Sequence, residues 1–357
     1  MEHTTLYHDA VTLLKQLVST PSFSKEEDKT ADIITQFFSG RNIPVNRSLN
    51  NVWCVNKHFD ASKPTMLLNS HHDTVRPNPQ YSKDPFSPLE EDGKLYGLGS
   101  NDAGGCLVSL MAAFLFFYER TDLKYNIILA ATAEEEISGK NGIESILPAL
   151  PAIDFAIVGE PTLTNLAIAE KGLLVLDCLA TGKAGHAARE EGENALYKAM
   201  KDIEWFRTWR FPKISDSLGP VKMSVTSINT ENKAHNIVPA VCSFIVDVRV
   251  TDEYTHEEIL ETIKQHVSCD VQPRSMRLRS SSIRLDHPLV QAGIRLGKKT
   301  YGSPTTSDAA LINAAVLKCG PGDSARSHTA DEFIFLDEIK EGISTYVALI
   351  KQVSSNS

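Results

Sequence analysis

A set of short apolar runs, each followed closely by acidic or imidazole side chains, constrains the fold of this chain most strongly. The runs occupy residues 66–68, 127–131 and 155–158. Runs of this length are typical of strands that are buried on both faces of a parallel sheet. Because the carboxyl ends of such strands converge on one crevice in open α/β sheets, we expect the polar residues that follow them to lie together.

Candidate metal ligands follow these runs or a glycine-rich turn. They are His71, Asp102, a member of the run Glu134–Glu136, Glu160 and His328. Carboxylates and imidazoles that point into one crevice repel one another or remain poorly solvated unless a cation joins them. The set therefore predicts a metal centre, although each residue alone also has an ordinary structural interpretation.

These ordinary interpretations differ from residue to residue. Asp73 lies on the same side of an extended segment as His71, so it can fix the tautomer of a metal-bound His71 or simply hydrogen-bond a strand-end histidine. Asp102 is a bridging carboxylate or a helix N-cap. Within 134–136, one carboxylate can bind metal while its neighbour holds the attacking water, and the alternative is a solvated acidic turn. His72 points the other way and is not expected to be a ligand.

Composition and charge are ordinary for a globular enzyme and argue against other classes. The chain has 357 residues, which suggests about two domains at ~150 residues each. Its formal net charge of -9 argues against a nucleic-acid partner. The longest apolar run, residues 106–117, is too short to cross a bilayer and predicts a buried helix, so no membrane partner is expected.

The N-terminal segment and the cysteines predict a cytoplasmic protein. Residues 1–5 contain no basic segment followed by an apolar core, so no secretory signal is expected. The six cysteines are widely scattered and form no Cys-x-x-Cys pair, which favours reduced thiols.

Two patterns of secondary structure divide the chain. The spacing of apolar residues predicts a helix over 6–18, and Ser24 with Glu27 predicts a capping box for the next helix. Strand–helix alternation then continues to about residue 170, which is typical of a mostly parallel sheet covered by helices. Residues 172–285 instead predict a βαββαβ order, a split βαβ unit. We therefore expect an α/β catalytic domain of residues 1–171 and 286–357, interrupted by an inserted α+β domain.

With these residues placed, the chain resembles the dinuclear zinc amidohydrolases. The sequence contains no His-Glu-x-x-His motif and no phosphate-binding loop. The resemblance spans nearly the whole chain and rests on the five ordered blocks 70–75, 97–102, 132–136, 159–162 and 327–332.

The resemblance implies two Zn²⁺ ions, for which Co²⁺ can substitute. It places His71 and Glu160 on one ion, Glu136 and His328 on the other, and Asp102 between them. It also implies that Glu135 is the general base and that Asp73 orients the ring of His71.

The inserted domain carries three further residues to which the resemblance gives roles. The resemblance implies that His186, in Gly185-His186-Ala187-Ala188, donates a hydrogen bond to the oxyanion of the reaction. In the family this histidine often serves the partner subunit's site. Asn236 and Arg249 lie in segments that resemble those binding the substrate carboxylate. The resemblance therefore implies a homodimer formed through the inserted domain, with His186 acting within one chain or across the dimer.

Within the family, the length and the stretch 320–332 most resemble acetylornithine deacetylases. The implied reaction is the zinc-dependent deacetylation of N-acetyl-L-ornithine in arginine biosynthesis. N-succinylornithine, N-acetylcitrulline and succinyl-diaminopimelate remain alternative N-acyl amino acid substrates. A di- or tripeptidase is the rival of the same fold, and a metal-binding protein without turnover is the rival from another class.

Overall fold

The computed structural model describes residues 3–354, and these form two compact units. The first unit comprises the residues up to Ala169, Ser282–Tyr301 and the residues from Ser307 onward. The second unit comprises Glu170–Ser281 and Gly302–Thr306. The return of Gly302–Thr306 to the second unit is not among the boundaries predicted from the sequence.

The α-helices are α1 (His3–Val18), α2 (Asp28–Ser39), α3 (Gly105–Phe117), α4 (Ile143–Ile146), α5 (Ala195–Thr208), α6 (His256–His266), α7 (Pro288–Arg295) and α8 (Leu336–Ser354). The strands are β1 (Asn46–Ser48), β2 (Asn51–Val55), β3 (Thr65–His71), β4 (Leu89–Glu91), β5 (Lys94–Tyr96), β6 (Asn126–Thr132), β7 (Phe155–Val158), β8 (Leu166–Glu170), β9 (Gly172–Thr181), β10 (Gly185–His186), β11 (Lys222–Asn229), β12 (Ile237–Val238), β13 (Val241–Val250), β14 (Asp270–Pro273), β15 (Ser281–Ser282), β16 (Thr300–Ser303), β17 (Ala315–Lys318) and β18 (Phe333–Phe335).

A nine-stranded sheet has the order β1-β2-β6-β3-β7-β17-β8-β15, with β16 beside β8. Its centre is parallel, because β3 pairs with β6 and β7, and β7 pairs with β17, in parallel registers. The strand β2 pairs with β6 in an antiparallel register, and so does β17 with β8. Every residue of β3, β6 and β7 is buried, as expected for strands covered on both faces. The predicted mostly parallel α/β sheet is confirmed.

The helix α3 lies in the core of the first unit. Nearly all of its side chains are buried, including Leu107, Leu110 and Phe114. A helix that is apolar all round belongs inside a protein or a membrane. The segment Ser100–Phe117 is long and apolar enough to cross a membrane by length and composition, but 89% of it is buried within the protein. The prediction of a buried helix is therefore confirmed.

The second unit has the predicted βαββαβ order, formed by β9, α5, β11, β13, α6 and β14. Its four main strands form an antiparallel sheet in the order β11-β13-β9-β14. Along β9, buried and more exposed residues alternate, which is typical of a sheet with one face on the core. A capping box is present at α6, with Thr255 at the cap and Glu258 three residues later.

The capping box predicted at Ser24 is wrong. The helix α2 begins at Asp28, with Glu27 at its N-cap position. The hydroxyl of Ser24 instead donates to Oδ2 of Asp73 at 2.7 Å. The buried carboxylate of Glu27 accepts from the backbone N–H groups of Lys25 and Glu134. The Ser24 hydroxyl and the Glu27 carboxylate thus have distant partners, Asp73 and Glu134, where a local cap was predicted.

Candidate metal centre

Three neighbouring parallel strands end at one edge of the sheet and carry the first ligand candidates. His71 is the last residue of β3 and lies opposite Thr132, the last residue of β6. The acidic run begins two residues after β6, and Glu160 follows β7 by the same interval. The expectation that the carboxyl ends of these strands converge is confirmed, since His71 and Glu160 approach each other there.

Asp102 faces two imidazoles, each with a different carboxylate oxygen. Its Oδ1 lies 3.4 Å from Nε2 of His71, and its Oδ2 lies 3.7 Å from Nε2 of His328. Oε1 of Glu160 is 3.7 Å from Nε2 of His71, while Oε2 of Glu136 is 3.0 Å from Nε2 of His328. The cluster therefore consists of two imidazole–carboxylate pairs that share one carboxylate.

A tight glycine turn carries Asp102 to this position. Gly99 has a φ of 75°, and a Cβ atom there would lie 2.6 Å from Cγ2 of Thr74, so the turn requires glycine. The backbone N–H of Asp102 donates to Oε1 of Glu332 at 2.9 Å. The peptide bond between Asp102 and Ala103 is cis. The turn leads directly into α3, which anchors it in the core.

Asp73 links the histidine of one pair to the acidic run. The Nδ1 atom of His71 lies 3.0 Å from the carbonyl oxygen of Asp73 and 3.5 Å from its Oδ1. The backbone N–H groups of Glu135 and Glu136 each donate to the Asp73 carboxylate at 3.1 Å. These contacts place the His71 proton on Nδ1 and leave Nε2, the atom that faces Asp102, free to act as a ligand.

The three carboxylates of the acidic run point in different directions. Glu134 is buried, and its Oε1 accepts from Nδ2 of Asn141 at 2.9 Å. Its carboxylate lies so close to Gly139 that a Cβ atom there would approach Oε2 to 2.0 Å. Oε2 of Glu135 lies 3.9 Å from Nε2 of His71, and Glu136 contacts His328. Glu134 therefore stabilises the turn, and Glu135 and Glu136 face the cluster.

The crowding of acidic groups shifts their pKa values. Burial raises the pKa of Glu135 well above its ordinary value, and it raises the pKa of Glu160 to about 8. The hydrogen bond to Glu136 raises the pKa of His328 to about 9. Such shifts are expected where carboxylates share a poorly solvated place with little compensating positive charge.

Two divalent cations fit this donor set. Single ligand atoms of His71, Asp102 and Glu136 lie within 4.8 Å of one another. Zinc is bound in proteins by imidazole nitrogens and carboxylate oxygens, the groups gathered here. His71, Glu160 and one oxygen of Asp102 would hold the first cation, and Glu136, His328 and the other oxygen would hold the second.

The neighbouring His72 is not part of the cluster, as predicted. Its Nδ1 lies 2.9 Å from the hydroxyl of Thr30, and its Nε2 lies 2.8 Å from the carbonyl oxygen of Asn50. Both ring nitrogens are therefore engaged in structural hydrogen bonds.

Sequence reasoning missed the buried carboxylate of Asp308, which lies beside the cluster. Oδ2 of Asp308 accepts from Nδ2 of Asn69 at 2.9 Å and from the hydroxyl of Thr132 at 2.7 Å. Burial raises the pKa of Asp308 to about 6. Its partners lie on β3 and β6, just before the residues of the cluster. The sequence around Asp308 carries no apolar run or motif that could have indicated this position.

The second unit contains the other three candidates, whose predicted roles stay predictions. His186 lies on β10, and its Nδ1 accepts from the backbone N–H of Ala188 at 3.1 Å, so the ring proton is on Nε2. The carbonyl oxygen of Asn236 accepts from the N–H of Ala187. Arg249 is already paired with Asp247, with Nε 2.8 Å from Oδ1 and Nη2 3.0 Å from Oδ2.

Comparison with known proteins decides the family. The sequence signature of Peptidase family M20/M25/M40 matches residues 67–352, which include every member of the cluster. The chain belongs to this family. M20 proteins are metal-dependent hydrolases of linear amides, so the predicted class of enzyme is confirmed. The more specific resemblance to acetylornithine deacetylases finds no support among the relatives below.

Two M20 relatives and one solved M20 structure illustrate the similarity. Succinyl-diaminopimelate desuccinylase 2 of Ruegeria sp. (strain TM1040) is 27% identical over 274 residues, covering 72% of this chain and 69% of the relative. A LysW-lysine/LysW-ornithine hydrolase of Sulfurisphaera tokodaii is 26% identical and covers 96% of this chain and 94% of the relative. A dinuclear metal binding peptidase of Bacillus subtilis has the same fold, with a TM-score of 0.75, 13% identity and coverage of 99% of this chain and 100% of that chain.

Proposed function

We propose that this chain hydrolyses the amide bond of an N-acyl amino acid with the help of two divalent cations, most simply Zn²⁺. The observation that carries the proposal is the two-sided contact of Asp102 with His71 and His328. A carboxylate that serves two ligand sets is the natural bridge between two metal ions. Glu135 stands beside this bridge without being needed as a further ligand, which suits a general base.

When bound, the two cations lower the pKa of a water molecule and polarise the substrate carbonyl. Glu135 removes the proton from the attacking water and later delivers it to the departing amine. Asp73 holds the ring of His71 through Nδ1 so that Nε2 stays directed at the cluster. The Nε2–H of His186 is proposed to donate to the oxygen that becomes negatively charged at the amide carbon.

We favour a substrate whose acyl group carries a carboxylate, such as N-succinyl-diaminopimelate, over N-acetyl-L-ornithine. The named relatives include a succinyl-diaminopimelate desuccinylase. On the second unit, Lys222 lies directly opposite Arg249 in the β11–β13 pairing. Burial lowers the pKa of Lys171, and the nearby positive charges of Lys222 and Arg249 lower it further. This basic face suits a dicarboxylic acyl amino acid, with Asn236 and Arg249 as substrate-binding residues.

A substrate panel tests this proposal. Purified protein loaded with Zn²⁺ is assayed for amine release from N-succinyl-diaminopimelate, N-succinylornithine, N-acetylornithine, N-acetylcitrulline and dipeptides, with Glu135→Gln as the control for contaminating hydrolases. We expect the succinyl substrates to exceed their acetyl counterparts by about 10- to 100-fold in kcat/KM, the value of one charge-assisted hydrogen bond of roughly 1.5–3 kcal/mol. Preference for dipeptides would indicate a peptidase, and no release from any compound would indicate a binding protein.

We also propose that the second unit forms a homodimer. Its strand β11 is at the edge of the sheet and is exposed over most of its length. Tyr197 and Met200, one turn apart on α5, are 69% and 56% exposed, and Ile228 on β11 is 48% exposed. An exposed edge strand flanked by large apolar side chains is a ready template for pairing with a second copy of this chain.

A complementation experiment tests the dimer and the role of His186 together. His186→Ala and Glu135→Gln are each expected to lose at least about 10²-fold in turnover, the usual effect of losing an oxyanion donor or a general base. If His186 serves the partner's site, mixed dimers regain activity because one site receives both intact residues. Subunit exchange is followed with two affinity tags. A mixed dimer that forms but stays inactive would place His186 in its own chain's site.

We also propose that the enzyme is cytoplasmic. All six cysteines are free thiols, and five of them are buried. Free thiols are typical of proteins kept in a reducing compartment.

A further inference from the structure

Glu332 is a buried carboxylate beside the metal centre to which the sequence reading gave no role. It directly precedes β18 and is only 2% exposed. Its Oε1 accepts from the backbone N–H groups of Asn101 and Asp102, both at 2.9 Å, and its Oε2 accepts from the N–H of Gly99 at 3.2 Å. One side chain therefore binds the backbone on both sides of the turn that carries Asp102.

The backbone of Glu332 is tied to the same region. Its carbonyl oxygen accepts from the N–H of Gly97 at 2.9 Å, and its N–H donates to the hydroxyl of Tyr81 at 3.3 Å. Burial of a carboxylate is costly unless hydrogen bonds compensate it. Here three backbone N–H groups donate to the two carboxyl oxygens and supply that compensation.

We propose that Glu332 is a positioning residue that fixes Asp102 so that its two oxygens face the two imidazoles. Glu332 follows His328 by four residues, so one short segment supplies a ligand of the second cation and holds the bridge to the first. The inference rests on the metal centre described under Proposed function. It adds that the binding of a full pair of cations depends on Glu332 through Asp102, without direct contact between Glu332 and the metal.

The test compares Glu332→Gln with Asp331→Asn by zinc titration of the metal-free protein in a calorimeter. A glutamine amide presents a donor where an acceptor is required, so we expect one of the two zinc sites to weaken by about 10- to 100-fold, as for other residues that orient ligands. Asp331 is a matched control because its carboxylate also accepts backbone N–H groups, those of Ser82 and Lys83, away from the Asp102 turn. We expect both zinc sites of Asp331→Asn to keep the affinities of the unmodified chain.

The double variant Asp102→Ala/Glu332→Gln separates positioning from general stabilisation. If Glu332 acts through Asp102, adding Glu332→Gln to Asp102→Ala weakens zinc binding no further. A merely structural residue would instead lower the melting temperature of the metal-free protein and leave both zinc affinities unchanged. Should Glu332→Gln fail to fold, Glu332→Asp, which keeps the charge but shortens the reach, is titrated in the same way.

The outcomes distinguish this inference from the proposed function. Two tight zinc sites in Glu332→Gln, or additive losses in the double variant, overturn the role of Glu332 and leave the proposed function intact. Failure of the unmodified chain to bind two ions overturns the proposed function itself.

Discussion

Replacement of Glu135 by glutamine is expected to lower turnover by about 10²- to 10⁴-fold, the usual contribution of a general acid–base residue. The amide has nearly the same shape but cannot accept the proton of the attacking water. The backbone N–H of residue 135 would still donate to Asp73, so the turn should keep its conformation. We expect zinc binding and the melting temperature to remain close to those of the unmodified chain.

The measurement is kcat on the best substrate of the panel, together with zinc stoichiometry. Glu134→Gln is the matched control, because Glu134 lies next in the chain but directs its carboxylate to Asn141. We expect that control to retain most of its activity. If Glu134→Gln were inactive and Glu135→Gln active, the roles within the acidic run would shift by one residue.

Replacement of Asp102 by alanine is expected to have the larger effect on metal binding. Both imidazoles would lose the carboxylate that they share, so occupancy should fall from two ions to one or fewer, with affinity lower by more than about 100-fold at the affected site. Activity should then be lost on every substrate. In the unmodified chain, a chelator should abolish activity, and Zn²⁺ or Co²⁺ should restore it.

Metal analysis after dialysis gives the stoichiometry, and titration of the stripped protein gives the affinities. Asp308→Asn is a useful comparison, since Asp308 is a buried carboxylate nearby that is held by Asn69 and Thr132. It should still bind two ions. A single ion in the unmodified chain at saturating zinc would contradict the bridging role of Asp102.

The placement of the cluster was predictable because it follows from strand geometry. Short apolar runs indicated β3, β6 and β7, and the convergence of parallel strands at one edge then brought His71 near Glu160. The glycine-rich stretch before Asp102 likewise indicated a turn. These signals are local, because each lies within a few neighbouring residues, and the structure keeps the element that each one predicts.

The hydrogen bonds that hold the cluster were not predictable, because their partners are distant in sequence. Ser24 had the spacing of a helix cap, yet it donates to Asp73, 49 residues away. Asp308 and Glu332 have their partners on β3, β6 and the Asp102 turn, all distant in sequence. A single sequence gives no measure of such contacts.

The proposed substrate differs from the N-acetyl-L-ornithine that the sequence predicted. The stretch 320–332 suggested N-acetyl-L-ornithine, but that stretch contributes His328 and the anchor of Asp102. We propose that this stretch serves metal binding rather than recognition of the acyl group. The basic residues that we propose for recognition of the acyl group, Lys222 and Arg249, lie on β11 and β13 of the inserted unit.

The interruption of the first unit by the second has a consequence for biosynthesis. His328 and Glu332 emerge from the ribosome only after the entire insert, whereas His71, Asp102 and Glu160 emerge before it. All of the predicted ligands except His328 are therefore translated before the insert. We expect the predicted site of the second cation, which needs His328, to be completed only after the insert has been translated.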